Sequence, residues 1–155
     1  MFGLTSKRGA SGTGRIVINQ PLVNVFNFIA VDFFDNYPKW SPEIQELELL
    51  SAPPLQLNSL VRQVRIDNGQ RSESTFKITT YKVGEQLVFE GVSNAYRCSY
   101  DFASTTPTIN TQITFTFELL KLKLFMLPFE KLINIAVQEG AKRTTRNLKN
   151  LIELS

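Results

Sequence analysis

From Pro128 to Leu154 the chain runs without a helix breaker other than Gly140. A segment of about 27 residues, rising about 1.5 Å per residue, makes a helix roughly 40 Å long, enough to lie across a whole sheet. Phe129, Ile133, Ala136, Val137, Gly140, Thr144, Leu148 and Leu151 fall on one side of its wheel. Lys131, Gln138, Lys142, Arg146, Lys149 and Glu153 fall on the other. A helix with one apolar face needs something to bury that face against.

The partner lies upstream. After a β-branched segment at Arg15–Asn19, Pro21 opens a helical stretch in which Leu22, Val25, Phe26 and Ile29 recur on one side. FFDNYPKWSPE then carries two prolines, which predicts a short helical turn and a loop. From Glu43 the pattern changes to six strand-like segments: EIQELELL, SLVRQVRI, STFKITTY, QLVFEGV, YRCSYDF and TINTQITFTFELLKL. Short turns join them, with Asp67-Asn68-Gly69 the strongest hairpin signal. Such strands pair antiparallel in a meander. With the first strand added, the expected fold is α+β: a curved seven-stranded antiparallel sheet wrapped around the C-terminal helix. Residues 1–12, rich in Gly and Ser, read as a flexible leader, and 13–155 as a single domain.

Alternation gives the sheet one greasy face. Tyr96, Cys98, Tyr100 and Phe102 share a side, as do Ile113, Phe115, Phe117 and Leu119, then Leu87 and Phe89, then Phe76 and Ile78. The chain holds 12 Phe against one Trp, a composition suited to a thick core or to an apolar cavity wall. Two features favour a cavity. Mid-helix Gly140 costs about 1 kcal/mol relative to Ala with no local need for it, so space beside the helix is a reason for it. Tyr96 and Tyr100 put hydroxyls on the apolar face, and a few polar groups in an apolar hollow are how small-molecule sites are built. The expected ligand-binding residues are Trp40, Arg62, Phe76, Ile78, Phe89, Tyr96, Cys98, Tyr100, Phe115, Phe117, Ile133, Val137, Gly140 and Thr144. Arg62 lies in phase with Leu60, Val64 and Ile66, so it enters the cavity if that side faces in and sits in solvent if it does not.

Several classes of chemistry are excluded or disfavoured. The chain has no histidine, which removes the commonest metal ligand and neutral-pH base. No metal site and no cofactor is expected. The single cysteine forbids an internal disulfide and fits a reducing cytoplasm. A formal charge of +3 argues against a nucleic-acid partner. Lys142, Arg143, Arg146 and Lys149 cluster on the C-terminal helix, which reads as a solvated face or as a peripheral contact with a membrane.

The order strand, two short helices, six-stranded meander and long terminal helix is the helix-grip pattern. IVINQPLVNVFNFIAVDFFDNYPKWSPEI resembles the opening of the polyketide cyclase/dehydrase-like members of the START and pollen-allergen-like (SRPBCC) superfamily. Pro21, Val25, Phe26, Asn36, Pro38, Trp40 and Pro42 carry that likeness. ITTYKVGEQLVFEG is similar to the family's strand, turn and strand through Ile78, Tyr81, Leu87 and Phe89, and RNLKNLIE to its closing helix through Leu148, Lys149, Leu151 and Glu153. The resemblance spans roughly residues 14 to 154 and implies the helix-grip fold. Three functions follow as expectations. The first is binding of a hydrophobic or aromatic small molecule such as a lipid, isoprenoid or polyketide. The second is a cyclase, aromatase or dehydratase with Arg62, Tyr96 and Tyr100 as candidate catalytic residues. The third is an interaction module whose grip is filled by its own side chains.

Overall fold

The computed structural model describes residues 8–106 and 109–154. Strands β1 (Ala10–Ile18), β2 (Ile44–Leu49), β3 (Leu60–Asp67), β4 (Gln70–Lys82), β5 (Gln86–Gly91), β6 (Tyr96–Thr105) and β7 (Asn110–Leu119) form one antiparallel sheet. Its order is β1-β7-β6-β5-β4-β3-β2. Helices α1 (Leu22–Phe26) and α2 (Phe33–Trp40) follow β1, joined by a π-helical turn over Asn27–Val31. A 3-10 turn over Leu124–Phe129 leads into α3, Glu130–Leu154. This is the curved seven-stranded sheet and long helix of the helix grip.

Local chemistry accounts for the turns. Asn68 and Gly69 both take positive φ, 52° and 78°, which lets a two-residue turn connect β3 to β4 with the right twist. Asp67 then pairs with Gln70, and the register carries Val61 onto Phe76. α1 buries Val25 and Phe26, and α2 buries Phe33, Tyr37 and Trp40 while running through Pro38. The expected turn in FFDNYPKW is therefore a helix of 8 residues.

β1 begins at Ala10, so the first three of its residues, placed in a leader by their composition, belong to the sheet. Residues 1–7 of that leader lie outside the described residues. Gly12 and Gly14 are positions of close approach. A Cβ on Gly12 would lie 2.3 Å from the Val137 carbonyl oxygen, and one on Gly14 would lie 2.5 Å from that of Ala141. The backbone of α3 occupies the space that side chains would need.

α3 is rotated from the wheel drawn on its sequence. Its buried residues are Ala141, Thr145, Leu148 and Ile152. Ala136 is exposed, as is Phe129, the residue just before the helix. The reason is the free edge of β1. The Gln138 amide accepts a hydrogen bond from Thr13 N (2.9 Å) and donates one to Thr13 O (2.8 Å). Asn134 Oδ1 accepts from Ser11 N (3.3 Å), Glu153 Oε2 accepts from Asn19 N (2.8 Å), and Lys149 Nζ donates to Val17 O (2.8 Å). Gln138, Lys149 and Glu153, placed on the polar side of the wheel, thus join Asn134 in completing an edge that would otherwise present unpaired backbone groups.

Candidate functional site

The grip is packed at one end and hollow at the other. At the packed end, rings from α2 press on the sheet. Phe33 stacks on Tyr37 with centroids 4.6 Å apart, and Phe76 lies 4.3 Å from Phe89. Phe76, Ile78 and Phe89 are fully buried there and form no part of the hollow. Their expected role as ligand contacts gives way to packing, because Phe33 and Tyr37 fill the space in front of them. Ile133 is also absent from the hollow, which α3 first lines one turn later, at Val137.

At the other end lies a cavity of about 780 Å³ between α3 and strands β3, β6 and β7. It falls in the size range of small-molecule sites, about 300–1,000 Å³. Trp40, Tyr96, Cys98, Tyr100, Phe115, Phe117, Val137, Gly140 and Thr144 line it, and all but Trp40 are expected there from alternation or from the helix wheel. Gly140 has no atom within 4 Å of where a Cβ would stand. Trp40 is buried, its Nε1 donating to Tyr100 Oη at 3.2 Å, and Asn147 Nδ2 holds the Trp40 carbonyl at 3.1 Å.

Arg62 is on the far side of the sheet. Its guanidinium meets Glu73 at 2.9 Å, Glu46 at 3.3 Å and Glu48 at 3.7 Å. It takes no part in the cavity, either as a ligand contact or as a catalytic candidate. The apolar residues of β3 are split between both phases, so composition pointed to the wrong one. Directly opposed residues in a sheet share a face, and inward Phe76 therefore turns Val61 inward, and with it Gln63 and Arg65. Counting back from the Asn68-Gly69 turn identifies these two residues from the sequence, a signal that alternation within β3 alone misses.

Gln63 and Arg65 form a polar corner with Ser41, Glu43, Asp67, Ser74 and Tyr96. Arg65 Nε and Nη2 grip both Asp67 carboxylate oxygens at 3.2 and 3.1 Å, and Nη1 donates to Ser41 Oγ at 3.1 Å. Glu43 lies 3.6 Å away. Burial opposes the charge of Arg65, but Asp67 and Glu43 outweigh it and hold the group protonated. Burial pushes Tyr37 and Tyr100 well above the ordinary phenol range and raises Tyr96 as well. The same desolvation pushes the Cys98 thiol up to about 12. At neutral pH the thiol and the phenols of the wall therefore stay neutral and supply no thiolate or phenolate nucleophile. Among the described residues no group of His, Cys, Asp and Glu is arranged to hold a metal ion. No described helix is long and apolar enough to cross a membrane.

A protein of unknown function from Staphylococcus aureus shares the fold at a TM-score of 0.75 and 14% identity, covering 95% of both chains. A START superfamily protein from Mycobacterium smegmatis matches at a TM-score of 0.74 and 13% identity, over 93% of this chain and 97% of the other. The di-domain ARO/CYC BexL matches at a TM-score of 0.71 and 14% identity, over 93% of this chain and 46% of the larger one. No curated protein matches the sequence. Residues 10–153 match the family model described as polyketide cyclase / dehydrase and lipid transport, and the chain belongs to that family.

Proposed function

We propose that the chain binds an apolar or aromatic small molecule, of the lipid, isoprenoid or polyketide class, in the cavity between α3 and the sheet. The observation that carries this reading is the contrast within one grip. Rings of α2 fill one end, while about 780 Å³ stays open beside Gly140 at the other. An interaction module filled by its own side chains has no use for that volume. The single cysteine keeps a reducing cytoplasmic setting part of the reading.

The test is Gly140→Leu, read with the neutral fluorophore N-phenyl-1-naphthylamine. Leucine improves helix propensity by up to about 1 kcal/mol, and its isobutyl group enters the open space. The variant should melt no lower than the parent and bind the probe at least tenfold more weakly. A destabilised variant, or one with unchanged binding, would mean that the hollow is not the binding site.

A second reading is a cyclase, aromatase or dehydratase working on a polyketide-like chain in the same cavity. It is favoured by Tyr96 on the wall beside Arg65 and by the description of BexL as an ARO/CYC. The neutral phenols suit it to polarising a carbonyl and to shaping a folded chain, rather than to taking a proton.

A membrane surface is the partner we assign to the exterior, at a different place from the basic half of α3. There Lys149 is bound to β1 and Glu153 and Lys142 lies near Glu139, while Arg143 and Arg146 are exposed with few apolar side chains beside them to enter a bilayer. The 3-10 turn and first turns of α3 instead expose Leu124, Phe125, Phe129, Leu132 and Ile135. Exposed Lys121, Lys123 and Lys131 are interleaved with them, the composition of a surface that meets anionic lipid. Leu122, Lys123 and Met126 belong to the cavity wall, so the patch adjoins the cavity itself.

A further inference from the structure

We propose that Gln63 is the polar anchor of the cavity and that the ligand it takes is an uncharged amphiphile bearing a hydroxyl group, a phenol or an alcohol and not a carboxylic acid. This rests on the reading of the cavity as a binding site.

Gln63 is 4% exposed and lies on the cavity wall. Its Nε2 donates to Ser74 Oγ and to Tyr96 Oη, both at 3.3 Å. Its Oε1 has no partner. Among the described residues only one other buried side-chain atom is in that state, Thr79 Oγ1, and Thr79 is not part of the cavity wall. Buried polar atoms are paired in nearly all folded chains, and this orphan belongs to a residue of the cavity wall, where a ligand atom completes the set once the amide turns toward it. Ser74 and Tyr96 can each donate or accept, so the amide can also sit the other way round with its nitrogen as the orphan. A ligand hydroxyl satisfies both arrangements, since it can donate to the oxygen or accept from the nitrogen.

Charge at the Gln63 corner disfavours an acid there. The arginine one step along β3 on the same face would be the natural partner of a ligand carboxylate. Arg65, however, is already gripped by both oxygens of Asp67, bonded to Ser41 and flanked by Glu43. Asp67 and Glu43 themselves line the cavity. The cavity's other cations, Lys121, Lys123 and Arg143, come from the segment after β7 and from α3, whereas beside Gln63 on β3 a carboxylate meets Asp67, Glu43 and an arginine with its donors engaged.

The experiment compares three probes with one apolar body, 4-butylphenol, butylbenzene and 4-butylbenzoate, each displacing N-phenyl-1-naphthylamine at neutral pH. The phenol should bind about tenfold more tightly than either of the others, the effect of one added hydrogen bond to an unpartnered buried group. In Gln63→Leu the ratio of phenol to butylbenzene affinity should fall to about one, whatever the change in butylbenzene's own affinity. Gln63→Met is the second variant should the branched side chain disturb β3. Equal binding of phenol and butylbenzene to the parent overturns the proposal, as does tighter binding of the benzoate. A phenol preference that survives in either variant also overturns it, because the hydroxyl then sits elsewhere. If the naphthylamine itself does not bind, it is the cavity reading that fails.

Discussion

Side-chain direction within β3 separates two arginines only three positions apart. Arg62 faces solvent among three glutamates and Arg65 faces the cavity on Asp67, and neither can exchange places without a one-residue slip of the strand. At the same scale, the buried Cys98, Tyr37 and Tyr100 tie stability to alkaline pH. Each holds its proton more tightly in the folded chain than in the unfolded one, so the unfolded chain binds fewer protons once pH passes the unfolded value. Stability is fully present below that value and falls above it. Cys98, raised from 9.0 to about 12, starts the loss near pH 9, and the two tyrosines join it above 10.0. Each group contributes a slope of up to about 1.4 kcal/mol per pH unit. Urea melts at pH 8, 9, 10 and 11 should show a flat region followed by a decline. In Cys98→Ala the decline should begin about one pH unit later. A profile identical to that of the parent would remove the thiol from the account.

The contact of β1 with α3 is the joint that sets the cavity. Two glycines on β1 let the helix backbone come down onto the strand, and Asn134, Gln138, Lys149 and Glu153 fasten it along the free edge. Gly14→Ala should therefore destabilise by about 1–3 kcal/mol, because the added carbon meets first the Ala141 carbonyl, backbone that cannot swing away, and then Thr145 Oγ1. Gly69, whose Cβ position is open but whose φ is 78°, makes a useful control, since its cost comes from backbone strain alone. If Gly14→Ala melts like the parent in denaturant titration, α3 is held less closely than described. The six meander strands were legible from alternation and turn chemistry. The joint was not, because Gly-Ser-Thr residues at 9–14 look the same in a loose leader and in a strand beneath a helix.

At the scale of the molecule, the helix covers only part of the concave face, and the remainder opens beside an apolar, lysine-flanked surface. If that surface meets anionic lipid, the protein should co-sediment with phosphatidylcholine vesicles containing phosphatidylserine and much less with phosphatidylcholine alone. Salt should weaken the association, since screening shortens the reach of Lys121, Lys123 and Lys131. The pair Phe125→Ser with Leu132→Ser should abolish it without lowering the melting temperature, both side chains being more than half exposed, at 69% and 64%. Protein that stays in the supernatant with both vesicle types would rule out the assignment, and a doubled mass in size-exclusion chromatography would point to a second copy on the patch.

The sequence by itself determined the element types, the meander, the aromatic face and the terminal helix, because periodicity and turn residues act within a few positions of themselves. It also brought out most of the cavity wall, from Trp40 and the β6 and β7 alternation to Gly140. Only the tertiary structure decided which phase of β3 faces inward, how far α3 is rotated, and which half of the grip is filled. Those depend on register and on the volume of side chains from distant segments. Phe33 and Tyr37 displace any ligand from Phe76 and Phe89, and strand β1 draws the polar side of the helix to its edge. No window of local sequence contains both members of such a pair.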